Sequence, residues 1–511
     1  MKLRILLAIL LGILFPPVLQ AGNVAVDSLS IEQRLLLHHN PLTTFRSQLW
    51  ANPAMHYYIR DFSLTSVSLN GQYERRGDAA VVQEGNGSKN FSFQATSFLK
   101  LTDRDRVFGE VSYTNGRQEN VVWNENTDFE LLYPYVTGDS IGGFMKGEEY
   151  KFLGGYAHSV GVWTIGAQLS YRASINYRDQ DPRPRNVVSD LEASLGVARE
   201  LNQYYTLGVS LTGRKYNQRS DIKFLAEKGA TSVYQMLGFG IDYVRFAGTQ
   251  LSSNYTGGGV GASIDLLPRR GYGLSASVGF DYFHFTKELT SINYAPLTEI
   301  ANKEFKVEIA WTSAKAGTWE YGAKLNSEIA LREGTENIFG DPTGNVYPIL
   351  TSVNQYKNTT TQVRLTGIVG QPNLRWGWTL LPTVGYSQIK PEYKGASRLM
   401  EISAINAGLK LQSTRRVNKL LLTAGAEGGY TSNLKSEYSL PGLDRTKSVG
   451  QAVMSNIEYL SDDHASVGLS LRGDYTLSPK YALFASGRWL HQAYKTCGAT
   501  NFGEVSLGFV F

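Results

Sequence analysis

The chain ends in a strict two-residue alternation of side chains, and the same alternation returns from residue 62 onward. In the last segment the apolar positions are Val505, Leu507, Phe509 and Phe511, and the positions between them are mostly polar or small. A period of two places successive side chains on opposite faces of a β-strand. The sequence therefore predicts strands that have hydrocarbon on one face and a hydrated space on the other.

The connections between these segments come in two sizes that also alternate. Long connections, such as residues 216–252 and 431–465, lie between short ones. Short turns on one side and long loops on the other are typical of outer-membrane barrels. With both termini on the short-turn side, eight turns predict 18 strands. The predicted turns are residues 102–106, 157–161, 199–203, 267–271, 314–318, 371–375, 413–418 and 477–480.

The strand count has two alternatives. Residues 233–246 and 453–459 also look like strands, and we interpret both as strand extensions inside surface loops; counting them as spanning strands gives 20. The count falls to 16 if a weak segment such as 397–412 is not a strand. A β-sandwich fits less well, because sandwich strands of about five or six residues are shorter than these segments. We predict an all-β, transmembrane, antiparallel up-and-down barrel of about 18 strands.

The amino-terminal residues predict an exported protein. Lys2 and Arg4 precede an apolar run over residues 5–14, which is too short for a spanning helix of about 20 residues. We predict a signal peptide over residues 1–21 with cleavage after Ala21, a plug segment over 22–61, and the barrel over 62–511. The single Cys497 cannot form an internal disulfide. The small net charge of +5 predicts no polyanionic partner.

Two motifs resemble known families. The closing aromatic strand, with Phe509 and Phe511, resembles the terminal strand of Gram-negative outer-membrane barrels, which implies recognition by the barrel-assembly machinery. The Asn-Pro-Ala triplet before the first strand resembles the hatch of fatty-acid-transporter-like barrels and a family of Bacteroidota barrels of unassigned function. That resemblance implies a plug in the lumen; the alternative is a turn that only leads into the first strand. The plug candidates are Trp50, Asn52, Pro53, Ala54 and Met55.

The faces opposite the apolar ones carry charges of both signs. An unpaired charge in an apolar setting is costly, so the predicted interior is either wet or filled by ion pairs. Mixed charge argues against a strongly ion-selective pore. The candidate lumen-lining residues are Lys306, Glu308, Arg364, Arg472, Asp474, Arg488 and Glu504.

No pattern predicts catalysis, a cofactor, a metal or nucleic-acid binding. The seven histidines do not show metal-ligand spacing, and the pair Asp463 and His464 fits a solvated loop better than a catalytic site. We therefore expect a non-enzymatic protein in contact with outer-membrane lipid, with both termini in the periplasm.

Three functions remain open on sequence grounds. The first is a channel or facilitator for small solutes. The second is a scaffold that docks surface lipoproteins or a transporter through exposed loop aromatics such as Tyr234, Phe239, Tyr243 and Phe246. The third, implied by the fatty-acid-transporter-like resemblance, is hydrophobic-solute uptake, which requires an apolar lumen patch near Trp50, Met55 and Tyr57.

Overall fold

The computed structural model describes residues 29–511 except 226–231, 249–251, 314–318, 345 and 374, and it omits the side chains of residues 43 and 44. The predicted signal peptide, its cleavage after Ala21, residues 22–28 of the plug segment and the predicted turn 314–318 lie outside the described residues.

Eighteen antiparallel strands form one closed barrel, which confirms the predicted fold class and strand count. Each strand pairs with the next in the chain, and β18 pairs with β1 to close the cylinder. The strands are β1 Leu64–Arg75, β2 Gly87–Lys100, β3 Asp105–Val121, β4 Gly143–Val160, β5 Trp163–Tyr177, β6 Arg183–Glu200, β7 Tyr205–Lys223, β8 Ser253–Pro268, β9 Gly273–Leu289, β10 Ala295–Thr312, β11 Glu320–Phe339, β12 Ile349–Gln371, β13 Gly377–Tyr393, β14 Arg398–Val417, β15 Leu420–Ser439, β16 His464–Ser478, β17 Tyr481–Tyr494 and β18 Ala499–Val510.

A turn lies at or next to each predicted position that the structure describes, and these turns lie at one end of the barrel, called here the short-turn end. At 157–161 and 413–418 the strands β4 and β14 run further than predicted, to Val160 and Val417. The weak segment 397–412 forms a full strand, β14, so the alternative count of 16 is wrong. The opposite end, called the long-loop end, carries the longer connections. This arrangement follows from the alternation of connection lengths along the chain.

Two predictions about the long loops are wrong. Residues 453–459 belong to a helix, Ser448–Leu460, whose residues Ala452 and Ile457 are buried. Residues 233–246 do not extend barrel strands; Tyr234–Gly238 and Ile241–Asp242 form a separate three-stranded sheet with Thr137–Gly138. Both segments fold this way because their apolar side chains pack against one another and the inner wall.

The outward face of the wall is apolar, with aromatic residues at its short-turn edge. Leucines such as Leu195, Leu211 and Leu507 stay exposed at mid-wall, as expected for a surface covered by lipid chains. Exposed rings at the short-turn edge form a girdle that suits the headgroup region; they are Trp163, Tyr272, Trp311, Trp319, Tyr321 and Tyr481. Within the described residues, no helix has the length and hydropathy of a membrane span.

A helical segment precedes β1. Helix α1, Ile31–His38, begins at a capping box in which Ser30 and Gln33 exchange side-chain and backbone hydrogen bonds. Helix α2, Pro41–Thr44, follows the Asn40 cap, and two 3₁₀ helices, Gln48–Ala51 and Pro53–Tyr58, lead toward the barrel. The helix Ser448–Leu460 is the next long helix of the chain and is called the loop helix.

Candidate functional site

The segment before β1, residues 30–61, follows the inner wall around the short-turn mouth. Its helix α1 packs beside β16, where Thr476 donates to Glu32 over 3.1 Å. The backbone carbonyl of His39 then accepts from Gln412 Nε2 of β14 over 2.9 Å. Phe45 packs on inward-facing residues of β10 and β12. The path ends at β2, where the Arg60 guanidinium lies 4.9 Å from the ring centre of Phe98. The segment therefore contacts strands on all sides of the mouth.

The Asn-Pro-Ala triplet lies on the inner wall, with Asn52 and Ala54 fully buried. Asn52 Oδ1 accepts from the Ala54 backbone N over 3.0 Å and caps the second 3₁₀ helix. Its Nδ2 donates to Asp265 Oδ2 of β8 over 2.9 Å. The buried Asp265 carboxylate also accepts from the hydroxyls of Ser263 and Ser277, at 2.9 and 2.7 Å. The triplet thus supplies a hydrogen bond to a buried acid of the wall.

Two paired glycines of the wall leave space for the triplet. Gly166 of β5 and Gly196 of β6 are direct register partners. A Cβ at Gly166 would overlap the backbone of Pro53 and Ala54, and one at Gly196 would overlap the Asn52 side chain. The chain can approach the wall this closely only because both positions lack a side chain.

Three histidines of this segment are half-buried beside positive charge. His38 Nδ1 lies 3.1 Å from Arg60 Nη1, which joins the start of the segment to its end. His56 stacks on Phe108 with ring centres 3.7 Å apart and bonds to the Trp50 carbonyl over 2.8 Å. Burial, with Arg60 adding to it, lowers the pKa of His38 and of His56 from 6.5 to about 4. Burial also lowers the pKa of His39.

The long-loop end is filled by loops that fold into the lumen. Residues 122–142, the three-stranded sheet and the loop helix pack with inward-facing strand residues into one apolar cluster, called the loop core. Its fully or nearly fully buried members include Leu132, Tyr135, Val136, Tyr216, Tyr255, Phe285 and Tyr356. The burial of these rings against the inner wall stabilises the inward position of the loops.

Charged side chains of the wall hold residues 122–142 in place. Arg332 donates from Nη1 to the carbonyls of Glu130 and Tyr133, at 2.7 and 2.9 Å. Arg172 pairs with Asp128 at 2.6 Å, and Arg178 pairs with Glu125 and Asp139 where all three side chains are at most 1% exposed. Breaking a buried pair of this kind is expensive, about 3–5 kcal/mol.

Strand β10 shows how the lumen is layered. Its inward residues at the long-loop end begin with Ile300 in the loop core. Lys306 follows, facing an open space. Further along, Glu308 accepts from the Ser47 hydroxyl and the Gln48 backbone N, both over 3.2 Å, and Ala310 packs against Phe45. One strand thus passes an apolar layer, a hydrated layer and the amino-terminal segment.

The middle layer is a cavity of about 770 Å³, called the chamber. Carboxylates outnumber cations in its wall: the acids are Glu84, Glu130, Glu192, Asp281, Glu304 and Glu328, and the bases are Arg214, Lys306 and Arg332. Lys306 pairs with Asp281 and Glu304 at 3.3 and 3.1 Å. At Glu84, which lies in a loop, burial and the nearby Glu130 raise the pKa of the carboxyl. The chamber is polar, and acidic side chains outnumber basic ones in its wall.

The other sequence-predicted lumen residues do not gather at the chamber. Arg472 is bidentate with Asp474, with contacts of 2.7 to 3.1 Å, and stacks on Phe484. Arg488 donates to Glu427 over 2.9 Å, and Glu504 accepts from Gln72 over 3.2 Å. Arg364 is an exposed residue of β12, beside Asn326 of β11 in the register. Of the seven, Lys306 lines the chamber, and Glu308 contacts the amino-terminal segment beside it.

The plug candidates make few apolar contacts toward the lumen. Met55 packs with Leu49, Ala198 and Leu267 in a small cluster at the wall, with Trp50 beside it, and Tyr57 donates to the Asp103 carbonyl in a short turn. The apolar patch required for hydrophobic uptake near these residues is therefore small. The large apolar surface of the lumen lies at the opposite end, in the loop core.

The loop aromatics expected at the surface face inward. Phe239 and Phe246 are 5% and 7% exposed, and Tyr234 packs beside Trp123. Tyr243 donates to the Asn337 carbonyl of the wall over 2.9 Å. The prediction that this loop presents an aromatic docking surface is therefore wrong for Phe239 and Phe246, which are buried against their neighbours, whereas Tyr234 and Tyr243 are half-buried.

Sequence reasoning missed the residues that form the loop core, although one signal was present. In β9 the inward positions Gly279 and Asp281 are followed at the same parity by Phe283 and Phe285. Two rings on a face that is otherwise polar indicate an apolar partner inside the barrel. The same holds for Tyr356 in β12 and Tyr216 in β7.

Two further features are not candidate sites. Among the described residues no cluster of three or more His, Cys, Asp or Glu is arranged to hold a metal. A groove of about 1340 Å³ is lined mainly by outward-facing residues such as Tyr73, Phe91 and Trp489. Because this groove lies on the apolar outer face, lipid chains are its expected occupants.

Comparisons with known proteins identify a family and no activity. A model described as a family of unknown function (DUF6850) matches residues 53–511. No curated protein matches the chain. A bacterial polysaccharide outer-membrane secretin is 10% identical, with 87% of this chain and 98% of that chain covered and a TM-score of 0.34. The ferric preacinetobactin receptor BauA of Acinetobacter baumannii is 8% identical, with 88% and 80% covered and a TM-score of 0.41. The copper transporter OprC is also 8% identical, with 88% and 82% covered and a TM-score of 0.39.

Proposed function

We propose that this chain, which belongs to the DUF6850 family, is a gated outer-membrane facilitator that passes small polar solutes through its barrel. The amino-terminal segment is the gate at the short-turn end, and the inward-folded loops are the gate at the long-loop end. The protein acts by passage and not by catalysis.

The chamber is the observation that carries this proposal. A structural barrel without passage has no need to keep about 770 Å³ of charged, hydrated space at mid-wall, because charges in a dry interior cost several kcal/mol each. A chamber between two separately tethered segments is the arrangement expected when each end opens in turn.

The charge of the chamber sets the preferred solute. Six carboxylate side chains and three cationic side chains line the chamber. One of the three cations, Arg332, donates to two backbone carbonyls. The excess negative potential raises the local concentration of cations and lowers that of anions. We therefore propose neutral and cationic solutes as the cargo.

The same proposal includes the location and orientation of the barrel. The outward apolar band and the aromatic girdle contact lipid of a Gram-negative outer membrane, and the short-turn end with both termini faces the periplasm. The closing strand with Phe509 and Phe511 is the segment offered to the barrel-assembly machinery. Surface exposure of epitope tags placed in a short turn or in a long loop tests this orientation.

Reconstitution tests passage. In liposome swelling, wild-type protein should admit neutral sugars and amino acids slowly, and Gly166→Ala, which displaces Pro53 and Ala54 from the wall, should admit them several times faster. Gly154→Ala is the matched control, because a Cβ there meets no atom within 4 Å. If wild type and Gly166→Ala both stay at the rate of empty liposomes while Gly166→Ala loses segment docking, the facilitator proposal fails.

A further inference from the structure

A second, smaller cavity lies beneath the loop helix. Its volume is about 180 Å³ and its wall is mostly apolar, with Val449, Val453 and Ile457 from the loop helix and Met236, Phe239 and Met400 from the surrounding loop core. A cavity of roughly 150 Å³ is large enough for a benzene-sized group. This cavity, called the helix pocket, therefore has room for one apolar ring or a branched aliphatic group.

The helix pocket adjoins the chamber. Phe129, Tyr133 and Asn358 line both spaces. A molecule with its apolar part in the helix pocket can therefore extend its polar part toward the charged wall around Arg332. The apolar space and the polar space together form one site with two parts.

Two polar atoms at this junction have no hydrogen-bond partner among the described residues. They are the hydroxyl of Tyr356, whose side chain is completely buried, and Oδ1 of Asn358. A buried polar atom left without a partner is destabilising, and such atoms call for an explanation. A ligand that accepts from the Tyr356 hydroxyl and donates to Asn358 Oδ1 satisfies both.

The spacing of the two residues narrows the ligand chemistry. Tyr356 and Asn358 are two residues apart on one face of β12, which separates their Cα atoms by about 7 Å. An amide carries one donor and one acceptor, which is the complement of the Tyr356 hydroxyl and Asn358 Oδ1. An apolar side chain next to that amide then has the size that the helix pocket accepts.

We propose that the helix pocket and the adjoining chamber form a binding site for short peptides or N-acylated amino acids that carry one ring-sized or branched apolar side chain. The apolar side chain lies beneath the loop helix, the amide contacts Tyr356 and Asn358, and the remaining polar groups face the chamber. This inference deepens the proposed passage function and rests on it only for the biological use of the site.

The loop helix forms one wall of the helix pocket, and three hydrogen bonds join it to neighbouring loops. The Trp123 indole N–H donates to Ser448 Oγ over 3.2 Å, and Asn456 accepts from the Val82 backbone N over 3.0 Å while donating to Gln83 over 2.7 Å. These hydrogen bonds join the loop helix to other loops, and its contact with the wall at Tyr459 is with the Tyr494 ring of β17, 5.5 Å between ring centres. A ligand can therefore enter by displacement of the loop helix while the barrel stays intact.

Binding is tested on the full-length protein in detergent micelles by isothermal titration calorimetry. The probe is N-acetyl-L-phenylalaninamide, and N-acetylglycinamide is the matched molecule that lacks the apolar side chain. The phenylalanine probe should bind with one site per chain, and the glycine analogue should bind at least about tenfold more weakly. Equal heats for the two molecules, or no heat for either, overturn the proposal.

A variant of Tyr356 distinguishes a ligand that contacts its hydroxyl from a trapped water that does so. Tyr356→Phe should weaken the probe about three- to tenfold, the effect of one hydrogen bond, and should leave the unfolding temperature unchanged or higher, because it removes an unpartnered hydroxyl. If a water already satisfies this hydroxyl and no ligand contacts it, Tyr356→Phe lowers the unfolding temperature and leaves the probe affinity unchanged, which overturns the proposal.

A second pair of variants tests where the apolar side chain of the probe binds. Val453→Phe places a ring in the helix pocket and should abolish probe binding, whereas Gln451→Phe adds the same ring at an exposed position of the loop helix and should not. Heat-modifiable migration on gels confirms that both barrels are folded. Loss of binding in both variants contradicts the assigned location.

Flux and probe binding distinguish the two proposals. Binding without any solute flux in liposomes would overturn the facilitator function and leave the binding site standing. Flux without probe binding would overturn the binding site and leave the facilitator function standing.

Discussion

Asn52 of the amino-terminal segment and Asp265 of β8 form a direct hydrogen bond, with Nδ2 2.9 Å from Oδ2 and both side chains fully buried. The two residues are 213 positions apart in the chain. This hydrogen bond fixes the amino-terminal segment to the wall at β8. Its loss should release the segment without changing any strand pairing.

Asn52→Ala should undock the segment from the wall. The substitution removes the cap on the 3₁₀ helix and leaves Asp265 with only its two serine donors, at a cost of about 1–3 kcal/mol. Limited proteolysis should then cleave within residues 40–60 at a higher rate than in the wild type, while the barrel fragment keeps its heat-modifiable migration. Asn70→Ala, at a wall asparagine that donates to Ser92, is the control, and equal cleavage rates in Asn52→Ala and the wild type would contradict the docking role.

Acid should loosen the same segment through its histidines. The pKa of His38 and of His56 is about 4 in the folded protein and 6.5 as the ordinary value, so the unfolded segment binds protons first as the pH falls. The stabilisation is complete above about pH 6.5 and is lost between pH 6.5 and 4, at about 2 kcal/mol per histidine by pH 5. Arg60 and Arg472 both disfavour the protonated form.

Protease sensitivity of residues 30–61 should therefore rise as the pH falls from 7.5 to 5. In His56→Gln the rise should be smaller, because one of the titrating rings is gone. A flat profile in the wild type, or an unchanged profile in His56→Gln, would contradict the assignment of the pH response to these rings.

The wall of the barrel was predictable from sequence because its determinants are local. The period of two and the length of each connection fix which side chains face lipid and where strands turn, and neither depends on distant contacts. The glycine pair Gly166 and Gly196 is different. Each is an ordinary strand glycine in the sequence, and only the docked Asn52 and Pro53 explain why neither position has a side chain.

The contents of the lumen were less predictable for the same reason. Residues 453–459 resemble a strand in isolation, and their helix is stabilised by packing on Phe239 of another loop and on Met400 of β14. Predicted luminal charges such as Arg472 and Asp474 satisfy each other within one strand, so polarity alone does not distinguish wall ion pairs from the chamber. Whether a charged residue pairs within the wall or lines the chamber depends on the register between strands that are distant in the sequence.

Arg332→Gln should open the long-loop gate. The guanidinium donates to the carbonyls of Glu130 and Tyr133, and glutamine is too short to make both bonds. We expect faster entry of neutral solutes in liposome swelling, by a factor of two or more, with an unchanged proportion of folded barrel. Lys303→Gln removes a cation that pairs with Glu333 at 2.8 Å in an exposed setting, and it should have the wild-type rate; acceleration in both variants would point to charge and not to the tether.

Phe511→Ala should impair assembly more than stability. The backbone of Phe511 exchanges two hydrogen bonds with Thr65, at 2.7 and 2.9 Å, next to the seam between β18 and β1, and the substitution leaves these bonds in place. Its ring is 42% exposed on the outer edge, so truncation removes little packing. If the closing aromatic is the feature that the assembly machinery binds, the amount of folded barrel in membranes should fall severalfold, while the barrels that do form should unfold at the wild-type temperature. Tyr481→Ala truncates another exposed ring, which stacks on Phe509 at 5.8 Å, and it should assemble normally; equal yields for the two variants would mean that the last ring serves only as part of the girdle.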